Sequence, residues 1–263
     1  MRMLPVHDAL QVADIRAHLD AATLHTLRDI HVFSTLDSTN RWALQAGQCG
    51  EACFAEQQTA GRGRRGRQWQ SPAGVNLYLS VRWCFAAVPP HLPLLSLVAG
   101  LAVAEALEDC AIHGHGLKWP NDVYYAGKKL GGILLEAVGS LEQVVIGIGL
   151  NVNMLPEAGA DIDQPWTSLQ HITGETLVRN TLAAALLQRL VKRLHAFPQL
   201  DMAQFQHDWQ HWDVLAGQQV QALMGTETLQ GLASGVNNQG QLRIILRDGF
   251  IKNLSSADVS VRM

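Results

Sequence analysis

The chain has 263 residues, 48% of them hydrophobic and 16% charged. That is enough apolar material for a packed core and excludes a disordered chain. At roughly 100–200 residues per domain it predicts one large domain plus a small one. The 20 basic and 23 acidic residues leave a net charge of −3, which excludes a basic nucleic-acid coat.

The first stretch, MRMLPVHDALQVADIRAHLD, carries charges where a signal peptide needs an apolar centre, so a cytoplasmic protein is expected. Residues 8–28 are loosely helical in period, through Leu10, Ala13, Ile15, Leu19, Leu24 and Leu27. A strand follows over 30–36, and Asp37 and Ser38 offer N-caps for a helix through Ala46. Residues 52–58 predict a strand. After a Gly/Arg stretch, GVNLYLSVRW alternates with Val75, Leu77, Leu79 and Val81 on one face. Residues 93–109 predict a long apolar helix. The apolar run Leu92–Leu107 is broken by Pro93, Ser96 and Glu105 and falls short of the ~20 residues a membrane helix needs, so no membrane contact is expected. Strands over 116–125, 130–138 and 143–152 come next, turning at Gly127 and at Gly139–Ser140.

Helices are expected over 180–197, with Asn180 as cap, and over 201–212. Beyond Gly217 the pattern changes to short β-like runs over 218–224, 227–236, 241–247, 249–254 and 258–262, which suggests a small closed or partly closed barrel. Adjacent strand runs in the body favour an α+β sheet over alternating βαβ units. The domains are placed at 1–215 and 216–263. Cys49, Cys53, Cys84 and Cys110 form no CxxC pair, and reduced, mostly buried thiols are expected; a Cys49–Cys53 disulfide would be out of keeping with the compartment.

Gly61-Arg62-Gly63-Arg64-Arg65-Gly66 satisfies the dinucleotide pattern G-x-G-x-x-G. That fold needs a helix directly after it, whereas Pro72 and a period-2 strand follow here. A P-loop is excluded as well, because Arg67-Gln68 stands where Lys-Ser/Thr is required. What remains is a mobile, glycine-spaced loop with four arginines, suited to phosphate or carboxylate oxygens. A solvated basic loop has about equal standing on that segment alone.

Lys118-Trp119-Pro120-Asn121-Asp122 precedes Gly127-Lys128-Lys129-Leu130-Gly131-Gly132, and a hairpin there would bring Asp122 near Lys129. Val145 to Asn153 places Gly147 and Gly149 inside a strand, where a close approach or a bulge would explain them. Asp37-Ser38-Thr39-Asn40 at a helix start is accounted for by capping alone. His207 and His211 share the spacing of a metalloprotease helix, but Asp208 replaces the catalytic Glu and no third ligand is near, so no metal site is expected. A serine hydrolase has no G-x-S-x-G to support it.

Taken in order, STLDSTN, AEQQTAGRGRRGRQWQSPAGVNLYLS, KWPNDVYYAGKKLGGILLE and GIGLNVN resemble biotin protein ligases, over roughly residues 30–262. The resemblance implies a class II synthetase-like biotin/lipoate ligase fold, a mixed-sheet catalytic domain with flanking helices. The tail resembles the family's SH3-like β-barrel. It implies biotin and ATP, with Mg²⁺, as the molecules bound, and two reactions. Biotin's carboxylate attacks the α-phosphorus of ATP; a lysine of a biotin carboxyl carrier protein, a subunit of acetyl-CoA carboxylase, then takes the biotinyl group from the adenylate.

By motif, the resemblance implies that Ser38, Thr39, Asn40 and Gln58 line the biotin head-group pocket, with Gly147 in its floor. Arg62, Gly63 and Arg64 would close over the carboxylate and phosphate, Trp69 would cover the ring or chain, and Lys129 would bind carboxylate and α-phosphate oxygens. Arg65, Arg67, Asn121, Asn151 and Trp166 would serve the nucleotide. Arg64, Lys129 and Asp122 are the expected catalytic residues, with Asp122 orienting or deprotonating the incoming lysine. Some relatives also carry an N-terminal winged helix-turn-helix. Only about 32 residues precede the first motif, so no operator binding is expected. A homodimer through sheet edges is the expected assembly. The competing readings are a lipoate or octanoate ligase and, from another class, a nucleic-acid binding module.

Overall fold

The computed structural model describes residues 9–224, 227–255 and 259–262. Two short helices, α1 (Val12–Ala17) and α2 (Ala21–Thr26), stand where one was expected. Asp20 separates them: its extended backbone ends the first run, and its carboxylate accepts from Thr23 N at 2.7 Å to cap the second. The large sheet comprises β1 (Asp29–Phe33), β2 (Glu51–Ala55), β3 (Leu77–Cys84), β4 (His115–Lys118), β5 (Asp122–Tyr125), β6 (Lys128–Val138) and β7 (Ser140–Leu150). Its seven strands run in the order β1-β2-β3-β7-β6-β5-β4. Only the β1–β2 pair is parallel. It is the mixed α+β sheet that the adjacent strand runs predicted.

The expected strand over 116–125 is two strands. Pro120 has no N–H to give a ladder, and the cis Trp119–Pro120 peptide stands in the turn between β4 and β5, which pair with Lys118 opposite Asp122.

One face of the sheet is covered by α4 (Leu95–Asp109), with α6 (Arg179–Ala196) and α7 (Met202–Trp212) packed behind it. Helix α4 is buried over nearly its whole length, so its sequence is apolar all round rather than striped. Arg189 pairs with Asp109 at 2.6 Å, and Arg193 joins Glu105 on α4 to Asp208 on α7. Asp208, between the two histidines of the metalloprotease-like spacing, thus belongs to an ion-pair network. Asn180 is not the cap of α6. Its side chain bonds Ala9 O and Gln11 N at 3.0 and 2.9 Å, tying the N-terminal segment to the body. The opposite face of the sheet carries α3 (Thr39–Gln45), and the short α5 (Leu169–Thr173) lies in the connection from β7 to α6.

The second sheet contains β8 (Gln219–Met224), β9 (Glu227–Val236), β10 (Leu242–Ile245), β11 (Ile251–Leu254) and β12 (Val259–Arg262), antiparallel in the order β11-β10-β9-β8-β12. Val220, Ala222, Ala233, Leu242 and Ile244 form its buried side. It meets the larger body where Trp119, 1% exposed, donates its indole N–H to Gly240 O at 2.8 Å.

The cysteine expectation is corrected. Cys49 and Cys84 are joined in a disulfide, Cα atoms 5.5 Å apart, because β2 and β3 are hydrogen-bonded neighbours and their ends coincide. Cys53 is free and buried, and burial pushes its thiol pKa up; burial does the same, less strongly, for Cys110.

Candidate active site

Strands β3, β7 and β6 lie side by side, and alternation sends their residues to two faces. Leu77, Leu79, Val81, Ile146, Ile148 and Ile133 go into the helix-covered core. Ser80, Gly147, Gly149, Gly132 and Glu136 face the other way; the register sets Tyr78 opposite Gly149 and Ser80 opposite Gly147. The glycines admit side chains from outside the sheet. A Cβ on Gly147 would lie 1.9 Å from Asn40 Oδ1, and one on Gly149 would lie 2.6 Å from the Trp69 ring. Gly132 also underlies Trp69, at 3.4 Å. The close-approach explanation of Gly147 and Gly149 therefore holds.

Helix α3 delivers the next group. Ser38 caps it, its hydroxyl accepting from Arg41 N at 3.4 Å. Thr39 and Asn40 sit in the first turn, each 4% exposed. Gln58 Oε1 accepts from Thr39 N at 2.9 Å, while Gln58 Nε2 donates to Ser71 at 3.0 Å. The buried Ser80 hydroxyl lies 2.8 Å from the Thr39 hydroxyl and 2.6 Å from Asn40 Oδ1. Asn40 Nδ2 donates to Glu136 Oε2 at 2.8 Å. Thr39, Asn40 and Gln58 are thus linked by hydrogen bonds to one another or through Ser80, while the Ser38 hydroxyl is taken up by the cap bond to Arg41 N.

The Gly/Arg loop is a short hairpin. Trp69 N bonds Gly61 O at 2.9 Å, Gly63 N bonds Arg67 O at 2.7 Å, and Arg62 bridges Gln68. Arg65 takes a left-handed backbone at φ 58° in the tip. Arg62 points back to the sheet and pairs with Glu136 at 2.9 Å. Half-buried Arg64 donates to Asn121 Oδ1 at 3.2 Å; burial, then the charge of Arg65, draws its pKa down. Arg65 and Arg67 are exposed. The loop from Thr59 to Gln68, with Leu134 and Glu136, lines a cavity of about 470 Å³. That volume lies in the range of small-molecule sites.

On the far side of Trp69, the predicted hairpin brings Lys129 Nζ within 2.6 Å of Asp122 Oδ1. The ammonium also stands 5.4 Å from the Trp69 ring centre, in cation–π range. The backbone of Lys129 is fixed by bonds to Pro165 O and Thr167 N, both 2.9 Å. Asn121 holds Ile133 O through its amide at 2.8 Å. Trp166 forms a parallel β-bridge with Lys129, but its ring lies on Gly159 and its N–H bonds Gly159 O at 3.2 Å. Asn151 is buried with its amide on Thr167 O at 3.0 Å, so it braces the segment behind Lys129 instead of presenting that amide outward. The Trp69 indole N–H, lying over Gly149, is buried without a hydrogen-bond partner among the described residues.

Two participants escaped the sequence analysis. Ser80 and Glu136 stand among apolar neighbours, Ser80 in the same strand as Arg82 and Glu136 at the opposite end of β6 from Lys128 and Lys129. Their signal was the face they share with the strand glycines, which becomes readable once β3, β6 and β7 are known neighbours.

Residues 32–152 match the Biotin/lipoate A/B protein ligase family, and residues 216–262 match the Biotin protein ligase C terminal domain. The chain is 39% identical over 253 residues to the Bifunctional ligase/repressor BirA of Salmonella typhimurium, covering 93% of this chain and 78% of that protein. It is 37% identical over 229 residues to the Biotin--[acetyl-CoA-carboxylase] ligase of Mycobacterium tuberculosis, covering 82% of each. The biotin protein ligase of Aquifex aeolicus, solved in complex with biotin and ATP, superposes with a TM-score of 0.78 at 32% identity, over 90% of this chain and 99% of that one. With both sheets matched by the family models and close relatives matched over most of their length, the chain belongs to the biotin protein ligase family.

Proposed function

We propose that the protein performs both half-reactions of a biotin ligase at this site. Biotin's carboxylate oxygen attacks the α-phosphorus of ATP, and pyrophosphate leaves. The amine of a carrier-protein lysine then attacks the mixed-anhydride carbonyl of biotinyl-5′-AMP; the amide forms, the amine loses a proton and AMP leaves. Two anions must meet in the first step. Fixed positive charge removes that repulsion, and holding both substrates in place contributes much of the remaining rate.

Thr39, Asn40, Gln58 and Ser80 can match the donors and acceptors of the ureido ring. Gly147 forms the floor and Trp69 covers the ring or chain. Arg62, Gly63 and Arg64 close over the carboxylate and phosphate, and Lys129 binds oxygens of both. Asn121 steadies the nucleotide, and the exposed Arg65 and Arg67 attract its outer phosphates. Asp122 holds Lys129 in the free protein and, as a carboxylate, orients or deprotonates the incoming amine. Mg²⁺ enters with the triphosphate, whose oxygens supply its ligands. The acceptor is a lysine on the biotin carboxyl carrier protein of a carboxylase. Pairing of two copies through sheet edges completes the proposal.

The observation that carries this reading is Lys129, ion-paired to Asp122 at 2.6 Å beside the Trp69 ring that roofs the glycine floor. Incubation of an apo-carrier domain with the protein, MgATP and either biotin or lipoate, followed by mass spectrometry, tests it. Biotin should add to one carrier lysine. Lys129→Ala should slow adenylate formation by about 10²–10³-fold, the loss typical of one oxyanion-stabilising group. A carrier that gains lipoate instead would overturn the assignment.

A further inference from the structure

Among the described residues, Glu136 is the carboxylate that touches both Asn40 of the helix start and Arg62 of the arginine loop. Its Oε2 accepts from Asn40 Nδ2 at 2.8 Å and from Arg62 Nη2 at 2.9 Å. The side chain is 26% exposed, and it stands in the wall of the 470 Å³ cavity below the arginine loop. The two bonds have different consequences. The bond to Asn40 fixes which end of that amide faces the sheet: with Nδ2 on Glu136, Oδ1 is left on Ser80. The other contact of Nδ2, Leu134 O, is longer at 3.4 Å. The bond to Arg62 occupies a guanidinium that a substrate carboxylate would need.

We infer that Glu136 is a positioning residue that anchors the Asn40 amide and serves as the resident anion for Arg62 until a ligand carboxylate or phosphate displaces it. This rests on the reading of Asn40 and Arg62 as ligand contacts. The exchange is cheap because the Arg62–Glu136 pair is partly exposed, and such pairs contribute little net stability. A loop arginine held in this way is close to its bound position before the ligand arrives, which reduces the ordering cost of binding.

Glu136→Gln separates the two roles. Glutamine keeps an oxygen to accept from Asn40 but gives up the charge that holds Arg62; Glu136→Ala removes both. Biotin and biotinol, its neutral primary-alcohol analogue, are titrated calorimetrically into the full-length protein and both variants. Trypsin cleavage within Arg62–Arg67 is timed without ligand. Glu136→Gln should bind biotin about two- to five-fold more tightly, bind biotinol within about twofold of the parent, and be cut faster. Glu136→Ala should bind biotinol about tenfold more weakly, since the amide loses its charged acceptor, and biotin only about two- to five-fold more weakly, since the released Arg62 offsets part of that loss. Equal weakening of both ligands in Glu136→Gln, or an unchanged cleavage rate, would overturn the inference. A parent protein that binds neither ligand would overturn the ligase reading together with it, a result distinct from a Glu136 effect of the wrong sign.

Discussion

The two faces of strands β3, β6 and β7 are built from one alternating sequence and do opposite work. On the helix side, Leu77, Leu79, Val81, Ile146 and Ile148 are 0–3% exposed. Burying each such side chain contributes about 1.5–3 kcal/mol. On the other side, Gly132, Gly147 and Gly149 each cost roughly 0.5–1 kcal/mol relative to alanine in regular structure. The apolar face more than offsets the glycine face, so the sheet stays rigid beneath a site whose floor is bare backbone at three glycines. Separating stability from chemistry by strand period lets a ligand approach backbone that is held from behind.

The strongest way to break this contrast is to put one methyl group on the floor. In Gly147→Ala the new Cβ falls 1.9 Å from Asn40 Oδ1, so the amide must leave Ser80 and Glu136. Two hydrogen bonds at about 1–3 kcal/mol each are at stake, which predicts biotin binding weakened by about a hundredfold or more in calorimetric titration. Unchanged affinity would mean that the glycine face is not the pocket floor.

A substitution on the other face of the same sheet should do the reverse. Leu79 adjoins Ser80 in the chain but is fully buried on the core side. Leu79→Ala should cost about 3 kcal/mol in urea unfolding, from lost transfer energy plus the cavity left behind. The folded variant should bind biotin within about twofold of the parent. Loss of affinity in step with stability would show that the faces are mechanically coupled.

Much of this arrangement could be read from the residues alone. Period-2 alternation in GVNLYLSVRW, the apolar stretch of α4 and the turn glycines placed nearly all elements, and the Asp122–Lys129 approach followed from the hairpin. What stayed hidden depended on contacts distant in sequence. Glu136 meets Asn40 and Arg62 across 96 and 74 residues, and no local period encodes those meetings. Cys49 and Cys84 are 35 residues apart, and their pairing follows from strand adjacency. Asn151 and Trp166 match motif positions, yet their polar groups are taken up by Thr167 O and Gly159 O, partners that spacing cannot reveal.

The smallest expected effect lies where the two sheets meet. Trp119 belongs to the segment that presents Asn121 and Asp122, and its indole N–H reaches Gly240 O in the second sheet at 2.8 Å. Trp119→Phe keeps most of the buried ring and deletes that bond, which predicts a loss of about 0.5–1.5 kcal/mol. If the second sheet only supports the first, the Michaelis constants for ATP and biotin should both stay within about twofold. Asn121 is held independently, its side-chain amide on Ile133 O and its backbone carbonyl accepting from Ile133 N, each at 2.8 Å, so the proposed nucleotide contact has its own anchor in β6. A rise in the ATP constant alone, with the biotin constant unchanged, would show that this anchor is insufficient. The turn at Gly240 would then be positioning Asn121 and Asp122 through the indole, and the second sheet would count as part of the ATP site.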